Sequence, residues 1–477
     1  MTTQRMPGQI KFIIGNEAAE RFSYYGMSAI LITYLTSMLG ESMGMARYHD
    51  FVALCYLLPL LGGYLSDRYL GKYRTIISLS LVYCAGHVVL SATEGSLTGT
   101  YVGLGLIALG AGGIKPCVSA HVGDQFNQST KHLVNRAYSF FYWSINLGSL
   151  ASTLLIPWVK GAYGFSVAFA IPGILMFIAT FVFWLGRRAY VHVPPTGKNP
   201  HGFARVCFDV VRGQGDRHPQ AARDGVRAVF RVIGLFAFIS LFWTLFHQHG
   251  SSWTAQAGKL DRHLWGLTIA NEQVQALNPL LIITMVPLFT LWLFPTLARR
   301  GFNVSPLRRM TVGMFLTSLS FVCAALLERR IADSAPGTVS VGWQFFQYFI
   351  ITVAEILVSA TGLEFAYTQA PRSMKSAVMS VWLLTVFVGN KIAAFVFSDL
   401  DVKGADRFWL FSGMMVVAAI AFAVIARLYK PTEYIEQAPI GGGKIPVEDR
   451  SQPAPRLAAA ELGLPPPSQE SKPRAEA

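Results

Sequence analysis

Charged residues are scarce in this sequence. Only 14% of its 477 residues are Asp, Glu, Lys or Arg, whereas soluble domains average about 25%. Hydrophobic residues make up 52% of the chain and aromatic residues 13%. A chain this poor in charge cannot surround a core with polar surface, so a soluble globular domain is excluded.

Cysteine is also rare, and its spacing excludes a metal site or a disulfide framework. The five cysteines show no metal-ligand spacing, so packing is the expected role of most of them. They are Cys55, Cys84, Cys117, Cys207 and Cys323. Lys and Arg outnumber Asp and Glu by 40 to 26. Even so, no stretch outside the apolar runs combines a basic patch with stacking aromatic residues, so we expect no nucleic-acid partner.

Motifs that carry enzyme chemistry are missing as well. No nucleophile–base pair is visible. The glycine-rich run 110–113 precedes Lys115, but it follows no strand and no Ser or Thr follows the lysine, so it is not a phosphate-binding loop. We therefore expect no enzymatic activity and no cofactor.

The sequence has instead a series of long apolar runs. About 20 mostly apolar residues are needed to span a bilayer as a helix, and twelve segments qualify. They lie near 13–38, 49–67, 74–93, 99–121, 136–158, 163–186, 229–254, 277–297, 310–327, 341–363, 375–398 and 406–427. A helix satisfies its own backbone hydrogen bonds in lipid. The sequence therefore predicts an all-α membrane protein with 12 transmembrane helices.

The basic loops predict the orientation of these helices. Lys and Arg cluster after the second, fourth and sixth segments and between the eighth and ninth. By the positive-inside rule these loops are cytoplasmic, so both termini are expected in the cytoplasm. Arg329 and Arg330, in an opposite loop, are exceptions. The net charge of +14 thus reflects membrane topology.

A polar, Arg-rich segment divides the chain into two six-helix bundles. The expected parts are a cytoplasmic N-terminus at 1–12, an N-terminal bundle at 13–186, a cytoplasmic linker at 187–228, a C-terminal bundle at 229–429 and a disordered cytoplasmic tail at 430–477. Within the linker, 202–212 is expected to form a short amphipathic helix on the inner surface. Two such bundles are typical of secondary transporters, whose substrate site lies near the midplane between the halves.

The first predicted span contains three ionisable residues, Glu17, Glu20 and Arg21. A charge at bilayer depth costs from about 3 to more than 10 kcal/mol. At i, i+3 and i+4 the three side chains share one helical face. That face must look into the protein or a water-filled cavity, where such residues mark substrate or proton pathways.

Several motifs resemble known transporter families. Residues 63–74 (GYLSDRYLGKYR) resemble the cytoplasmic loop signature of the major facilitator superfamily, although an ordinary basic loop has the same composition. Four further stretches resemble the proton-dependent oligopeptide transporter (POT) family. They are 17–26 (EAAERFSYYG), 112–116 (GGIKP), 140–149 (FFYWSINLGS) and 355–376 (EILVSATGLEFAYTQAPRSMKS). This resemblance covers almost the whole membrane domain. It implies the major facilitator fold and proton-coupled import of di- and tripeptides by alternating access.

The resemblance also bears on the source of the chain. Residues 48–56 (YHDFVALCY) are similar to the animal intestinal-type peptide transporters. However, the loop between the ninth and tenth segments is short and lacks the large extracellular domain of those proteins. We therefore expect a multi-pass protein of a bacterial inner (plasma) membrane. We also expect it to be a monomer and to have no cleavable signal peptide.

A peptide substrate is a zwitterion, so its site must hold a carboxylate, an ammonium and a backbone while leaving room for varied side chains. The resemblance implies that Arg21 and Lys115 face the peptide carboxylate and that Glu355 faces the amino terminus. Amide groups are expected from Asn146 and Asn278. Aromatic walls are expected from Tyr24, Tyr25, Tyr56, Trp253 and Trp382.

Each of these assignments has a structural alternative. Tyr24 and Tyr25 alone would be ordinary packing residues, and Trp382 would be a core residue. Asn146 would only hydrogen-bond another helix. Lys115 would form a structural ion pair with Glu20, an alternative that is compatible with substrate binding.

Proton coupling is expected from the acidic cluster of the first span. Burial and like charge disfavour two ionised carboxylates side by side, so protonation of Glu17 or Glu20 would free Arg21 and Lys115 for the peptide carboxylate. Glu355 would also bind a proton when no peptide is present. Which glutamate carries the proton is left open.

Histidine is the other candidate for proton handling. His49 matches a histidine that animal members use for this purpose, but His247 stands where an acidic residue is expected. A His49–acid gate therefore cannot be carried over intact. Two facing histidines would repel when both are protonated and open the outer gate; alternatively, His247 only lines the pore. His87 and His121 are expected to be structural.

Other functions have weaker support. The same fold could carry nitrate, a glucosinolate or a peptide-like metabolite, but nitrate needs no ammonium-binding acid such as Glu355. A channel is disfavoured because the charges lie on both bundles rather than in one ring.

Overall fold

The computed structural model describes residues 6–429, apart from 128, 196, 198–199, 265, 303, 370–373 and 401. The predicted tail at 430–477 lies outside the described residues, and so do positions 1–5 of the predicted N-terminal segment.

Helices account for nearly all of the described chain, as the apolar runs predict. Their bounds are α1 Ile10–Leu39, α2 Glu41–Leu65, α3 Lys72–Ala92, α4 Leu97–Asp124, α5 Val134–Leu185, α6 Phe203–Val211, α7 Gln220–Phe236, α8 Ile239–Phe246, α9 Ser252–Ala257, α10 Leu277–Leu288, α11 Phe294–Arg299, α12 Pro306–Ala332, α13 Gln344–Glu355, α14 Thr361–Thr368, α15 Lys375–Asp399 and α16 Gly404–Leu428. Two short antiparallel strands, β1 His263–Leu264 and β2 Leu267–Thr268, lie in one loop.

Within the described residues, nine helical stretches are long and apolar enough to cross a membrane. A tenth is formed if Gln220–Phe236 and Ile239–Ala257, which meet at 48°, make one bent span. The protein is therefore a multi-pass helical membrane protein. α1, which carries Glu17, Glu20 and Arg21, is not among the nine.

α5 joins what the sequence predicts as two separate spans, 136–158 and 163–186. At about 1.5 Å per residue, its 52 residues would reach far beyond a hydrocarbon core of roughly 30 Å. Gly164 interrupts it with a φ of 84°, a left-handed conformation that glycine adopts readily. Both parts of α5 lie against the same stretch of α1, since Ser23 Oγ donates to Pro172 O and Gly26 lies against Ser152 and Ile156. The chain therefore reverses at the kink, and α5 is two helices joined without a loop.

Several predicted spans are interrupted rather than continuous. The predicted span 229–254 is divided among α7, α8, a 3₁₀ turn at His247–Gly250 and α9. π-helical turns follow α10 at Phe289–Leu293 and α13 at Ile356–Ala360. Such turns are frequent at functional sites because they re-aim neighbouring side chains. Simple hydropathy counts cannot locate them.

The linker is partly helical. α6 coincides with the amphipathic helix predicted at 202–212, and its Phe203 contacts Phe230 of α7. α7 begins at Gln220, before the predicted start at 229, because its apolar positions Val226 and Val229 are buried while Arg227 stays exposed.

The helices pack into two halves. In the amino-terminal half, α1 packs on α5, α2 on α4, and α3 on both α4 and α5. In the carboxy-terminal half, α12 packs on α13 and α16, and α8 on α15. The halves meet where α2 packs on α15 and where α10 packs on α5. Large apolar side chains remain exposed on the outer faces, including Leu147 and Val417, as expected for helices that contact lipid.

One close helix contact depends on glycine. A Cβ on Gly62 of α2 would lie 2.4 Å from Gly113 Cα and 2.7 Å from Gly112 O of α4. A methyl group there would force the two helix backbones apart.

We expect Gly62→Ala to destabilise the protein by about 1–3 kcal/mol, the usual cost of overpacking. The measurement is the thermal unfolding midpoint of the purified protein in detergent. Gly105→Ala in α4 is the matched control, because nothing lies within 4 Å of its added Cβ. Equal midpoints for the two variants would contradict the close packing of α2 on α4.

Candidate functional site

The charged face of α1 points into the protein, as the sequence predicts. Arg21 Nε lies 2.6 Å from Glu17 Oε1 and 3.0 Å from Glu20 Oε2. All three side chains are buried, and Glu20 is 0% exposed. Two carboxylates therefore share one guanidinium inside the amino-terminal half.

A second cation lies nearby on α4. The Lys115 ammonium sits over the rings of Tyr24, at 4.4 Å, and Tyr56, at 4.7 Å. An ammonium over an aromatic face is attracted by the ring's negative quadrupole. Among the described residues, Lys115 forms no ion pair with Glu20 within 4 Å, so this conformation does not contain the structural pair that the sequence left open.

Glu355 faces this cluster from the carboxy-terminal half. It ends α13, directly before a π-helical turn. Asn278 Nδ2 donates to Glu355 Oε2 at 2.8 Å and to Thr352 Oγ1 at 3.2 Å. Asn278 thus holds the carboxylate in place, a contact that the sequence did not predict.

A central cavity lies between the two sets of charges. Eight of the predicted site residues line it: Arg21, Tyr24, Tyr25, Tyr56, Lys115, Asn278, Glu355 and Trp382. Trp382 packs edge-on against Trp243, which also lines the cavity. Glu17 and Glu20 are not on the wall; they lie behind Arg21 and contact it directly.

Two predicted pocket residues lie elsewhere, and both placements correct the sequence analysis. Trp253 is wholly buried against Phe321 and Tyr348, at ring distances of 5.4 and 5.2 Å. Asn146 donates to Tyr142 O of its own helix at 3.0 Å and lines a second, shallower cavity between α5 and α10. Sequence identifies an amide or an indole but not the direction it faces.

The sequence analysis missed several wall residues. They are Ser28, Tyr48, Trp243, His249 and Gln275. Helical periodicity would have found two of them: Ser28 lies four residues after Tyr24, and Tyr48 lies eight residues before Tyr56, so each shares a face with a predicted residue.

His49 and His247, the two histidines considered for proton handling, lie at one end of the cavity. His49 is fully buried between the halves, with Nδ1 3.0 Å from Asn390 Oδ1 and Nε2 2.9 Å from Ser251 Oγ. His247 lines the cavity. The two histidines do not face each other directly, because the Asn390 amide lies between them. His87 is buried in the amino-terminal half, where its Nδ1 contacts Phe169 O.

Polar contacts join the halves at the end where α1 ends and α2 begins, which is called here the distal end. It lies opposite Met6 and Tyr429, the first and last residues that the structure describes. Glu272, which is 0% exposed, accepts hydrogen bonds from Thr33 Oγ1 at 2.6 Å and from Lys160. An ion pair joins Asp50 to Lys391 across the same boundary. A further pair, 3.2 Å long, joins Arg407 to Glu41. The distal end is therefore closed.

Comparison with known proteins assigns the family. The model of the POT family matches residues 73–215 and 211–410. Human solute carrier family 15 member 2 is 38% identical over 392 residues, covering 75% of this chain and 54% of that protein. Peptide transporter family 1 of Drosophila melanogaster is 40% identical over 361 residues, covering 69% and 48%. The crystal structure of an auto-inhibited POT family peptide transporter superposes with a TM-score of 0.83 at 39% identity, covering 91% of this chain and 99% of that one.

The chain therefore belongs to the POT family, and the resemblance read from its four motifs is confirmed. Its relatives are transporters, not enzymes. The chain spans about half the length of the curated relatives it matches.

We expect Arg21→Met to destabilise the protein by about 3–5 kcal/mol, because it leaves two buried carboxylates without a cation. The measurement is the thermal unfolding midpoint in detergent, and Glu17→Gln added to Arg21→Met should recover part of the loss. Arg47→Met is the control, since Arg47 is half exposed in its pair with Asp50 and such surface pairs contribute little. A midpoint for Arg21→Met equal to that of Arg47→Met would contradict the pairing.

Proposed function

We propose that this protein is a proton-coupled symporter that imports di- and tripeptides by alternating access. The observation that carries the proposal is the arrangement of charge across the central cavity. Arg21 and Lys115 lie on one wall and Glu355 on the opposite wall, with tyrosine and tryptophan rings between them. A zwitterionic peptide has the complementary charges at its two ends.

Each end of the peptide has a matching partner. The guanidinium of Arg21 can bind both oxygens of the peptide carboxylate, and Lys115 adds a point charge beside it. The Glu355 carboxylate accepts from the peptide ammonium, and Asn278 holds that carboxylate in position. The aromatic walls contact varied side chains without selecting one.

The charge count on α1 and α4 supports proton coupling. Glu17 and Glu20 contribute two negative charges, and Arg21 and Lys115 two positive charges, so the cluster is formally neutral. A peptide carboxylate would add an uncompensated negative charge in a low-dielectric site, which is costly. A proton on Glu17 or Glu20 removes that charge and releases Arg21 toward the peptide. Glu355 and His49 complete the proposed set of proton-handling residues.

We further propose that the chain crosses the membrane twelve times, with both termini in the cytoplasm. The protein would be a monomer in the inner membrane of a bacterium. The twelve follow from the nine apolar stretches by counting α1, the bent α7–α9 pair and the second half of α5 as additional spans. In this orientation the closed distal end faces outward, so the cavity would open toward the cytoplasm. No cofactor is required beyond the proton.

The driving force is sufficient. One charge moving through 100 mV gains about 2.3 kcal/mol. At 1.4 kcal/mol per tenfold change, this corresponds to roughly 40-fold accumulation before any pH gradient is added.

Reconstituted protein should accumulate a labelled dipeptide in proteoliposomes when the outside is made acidic, and an uncoupler should abolish the accumulation. Uptake that ignores the gradient would contradict symport. Uptake of nitrate or of a peptide-like metabolite in place of the dipeptide would favour the alternative substrate for this fold.

Two acid substitutions should separate binding from coupling. Glu355→Gln should raise the KM for dipeptide about tenfold or more, because a charged hydrogen bond contributes about 1.5–3 kcal/mol. Glu20→Gln should abolish gradient-driven accumulation while counterflow, the exchange of labelled for unlabelled peptide without a gradient, persists.

Glu94→Gln is the matched control, because Glu94 is exposed at the distal end, where it accepts from Ser166 N. It should behave as the wild type in both assays. Full gradient-driven accumulation by Glu20→Gln, with only a loss of affinity, would show that the coupling assignment is wrong.

A further inference from the structure

Asn390 of α15 connects the two histidines at the distal end of the cavity. Its Oδ1 lies 3.0 Å from His49 Nδ1, and its Nδ2 lies 3.0 Å from His247 Nδ1. Asn390 is fully buried. The Asn390 amide thus bonds to His49 of α2 across the boundary between the halves. On its other side it contacts the imidazole of His247, which lines the cavity.

A third contact determines which end of the amide donates. Asn390 Nδ2 also lies 2.9 Å from the carbonyl oxygen of Val386, which only accepts hydrogen bonds. The NH₂ group must therefore be at this end, facing His247, and the amide oxygen must face His49. The contacts of Asn390 therefore require a proton on His49 Nδ1 and a free lone pair on His247 Nδ1. Trp243 O, 3.2 Å from His247 Nδ1, does not need that proton, because it already accepts from the His247 backbone N–H.

The remaining ring nitrogens fit this assignment. His49 Nε2 lies 2.9 Å from Ser251 Oγ and 3.3 Å from Gln248 Nε2, two groups that can donate to it. His247 then carries its proton on Nε2. With both imidazoles neutral, each contact of the Asn390 amide pairs a donor with an acceptor while the distal end is closed.

A proton on His247 Nδ1 breaks this arrangement. The new N–H has an acceptor, since Trp243 O lies 3.2 Å away. However, it also points at the NH₂ group of Asn390, so two donors oppose each other. Turning the amide over does not help, because Asn390 Oδ1 would then lie against Val386 O and its NH₂ group against the Nδ1–H of His49.

A proton on His49 has a milder effect. Its Nε2–H can donate to Ser251 Oγ, which in turn donates to Gln248 Oε1 at 3.1 Å. The bond from His49 Nδ1–H to Asn390 is kept, and only the longer 3.3 Å contact with Gln248 becomes unfavourable. The closed end thus tolerates a proton on His49 better than one on His247.

We propose that Asn390 is a positioning residue that makes closure of the distal end depend on an unprotonated Nδ1 of His247. The opposed donors, Asn390 Nδ2 and His247 Nδ1, both belong to the carboxy-terminal half. The amide must move to relieve this opposition, and its bond to His49 Nδ1, which joins α15 to α2, is then lost. A proton that reaches His247 from the cavity therefore favours separation of the halves at this end. This inference deepens the proposed symport and rests on it.

Other ionisable groups surround the two histidines, but none of them bonds to both rings as the Asn390 amide does. Tyr48 and Tyr56 contact the two rings edge-on or tilted. Asp50 is paired with Lys391 and Arg47, so it contributes no free negative charge. His249 and Lys115 line the same cavity, and Lys115 adds a positive charge that opposes another one on His247.

The test uses the full-length protein in proteoliposomes, with dipeptide uptake measured against external pH and counterflow measured separately. Asn390→Leu removes the opposing NH₂ group. Gradient-driven accumulation should then fall by about fivefold or more, the lower range of measured couplings between sites, while counterflow persists.

Asn390→Asp supplies an acceptor to both imidazoles. Because a carboxylate at hydrogen-bond distance stabilises an imidazolium, the pH midpoint of uptake should move upward by about one unit or more. In a His247→Leu background, Asn390→Leu should cause no further loss of accumulation, because the opposing imidazole is already absent. Ser398→Ala, an exposed change on the same helix, should keep the wild-type profile.

Three outcomes would overturn the inference. The first is an unchanged pH midpoint in Asn390→Asp together with full accumulation in Asn390→Leu. The second is a parallel loss of counterflow and accumulation in both variants, which indicates a merely structural role. The third is a loss of accumulation in the His247→Leu, Asn390→Leu double variant that equals the sum of the losses in the two single variants. Failure of the wild type to accumulate dipeptide would instead refute the proposed function itself.

Discussion

Neutralisation of buried charge on α1 is the constraint on which the rest of the structure depends. Glu17, Glu20 and Arg21 can be buried on one helix face only because one guanidinium contacts both carboxylates within 3.0 Å. Their face must be covered by other helices, which α5, α2 and α4 provide. Lys115, carried by α4, then completes a neutral cluster at the cavity wall. Helix packing in the amino-terminal half and the chemistry of the cavity therefore have the same origin.

Much of this could be predicted from sequence, because each signal is local to one helix. The buried face of α1 follows from the i, i+3 and i+4 spacing of its charges, and the apolar runs locate most helices. The direction of a lone side chain does not follow in this way: Trp253 faces the core of its own half, and Asn146 bonds within its own helix. Asn390 is beyond sequence reasoning, since its partner His49 is 341 positions away. The division of α5 near Gly164 agrees with the break predicted between 136–158 and 163–186, but the absence of a loop at the break could not be predicted from hydropathy.

The contacts between the halves explain why the cavity is closed at the distal end. Glu272 is inaccessible to solvent and bonds to both Thr33 and Lys160 of the other half. A buried carboxylate that lost these partners would need water in their place, so separation of the halves requires hydration of this end. Alternating access in such a protein is a competition between polar groups that bind each other and polar groups that bind water. Under the proposed alternating access, few contacts would need to change if each half moved as a packed body.

The histidine at position 247 changes the character of this competition. An acid there would join the halves through charge and would be neutralised by a proton. A neutral imidazole that accepts a hydrogen bond from Asn390 behaves in the opposite way, because a proton adds charge and removes the acceptor at once. In the proposed arrangement both chemistries would make closure sensitive to a proton, but only the imidazole would act through repulsion between donors. The departure at position 247 therefore need not abolish proton sensitivity; it moves the sensitive atom from a carboxylate oxygen to Nδ1 of a ring that the cavity can reach.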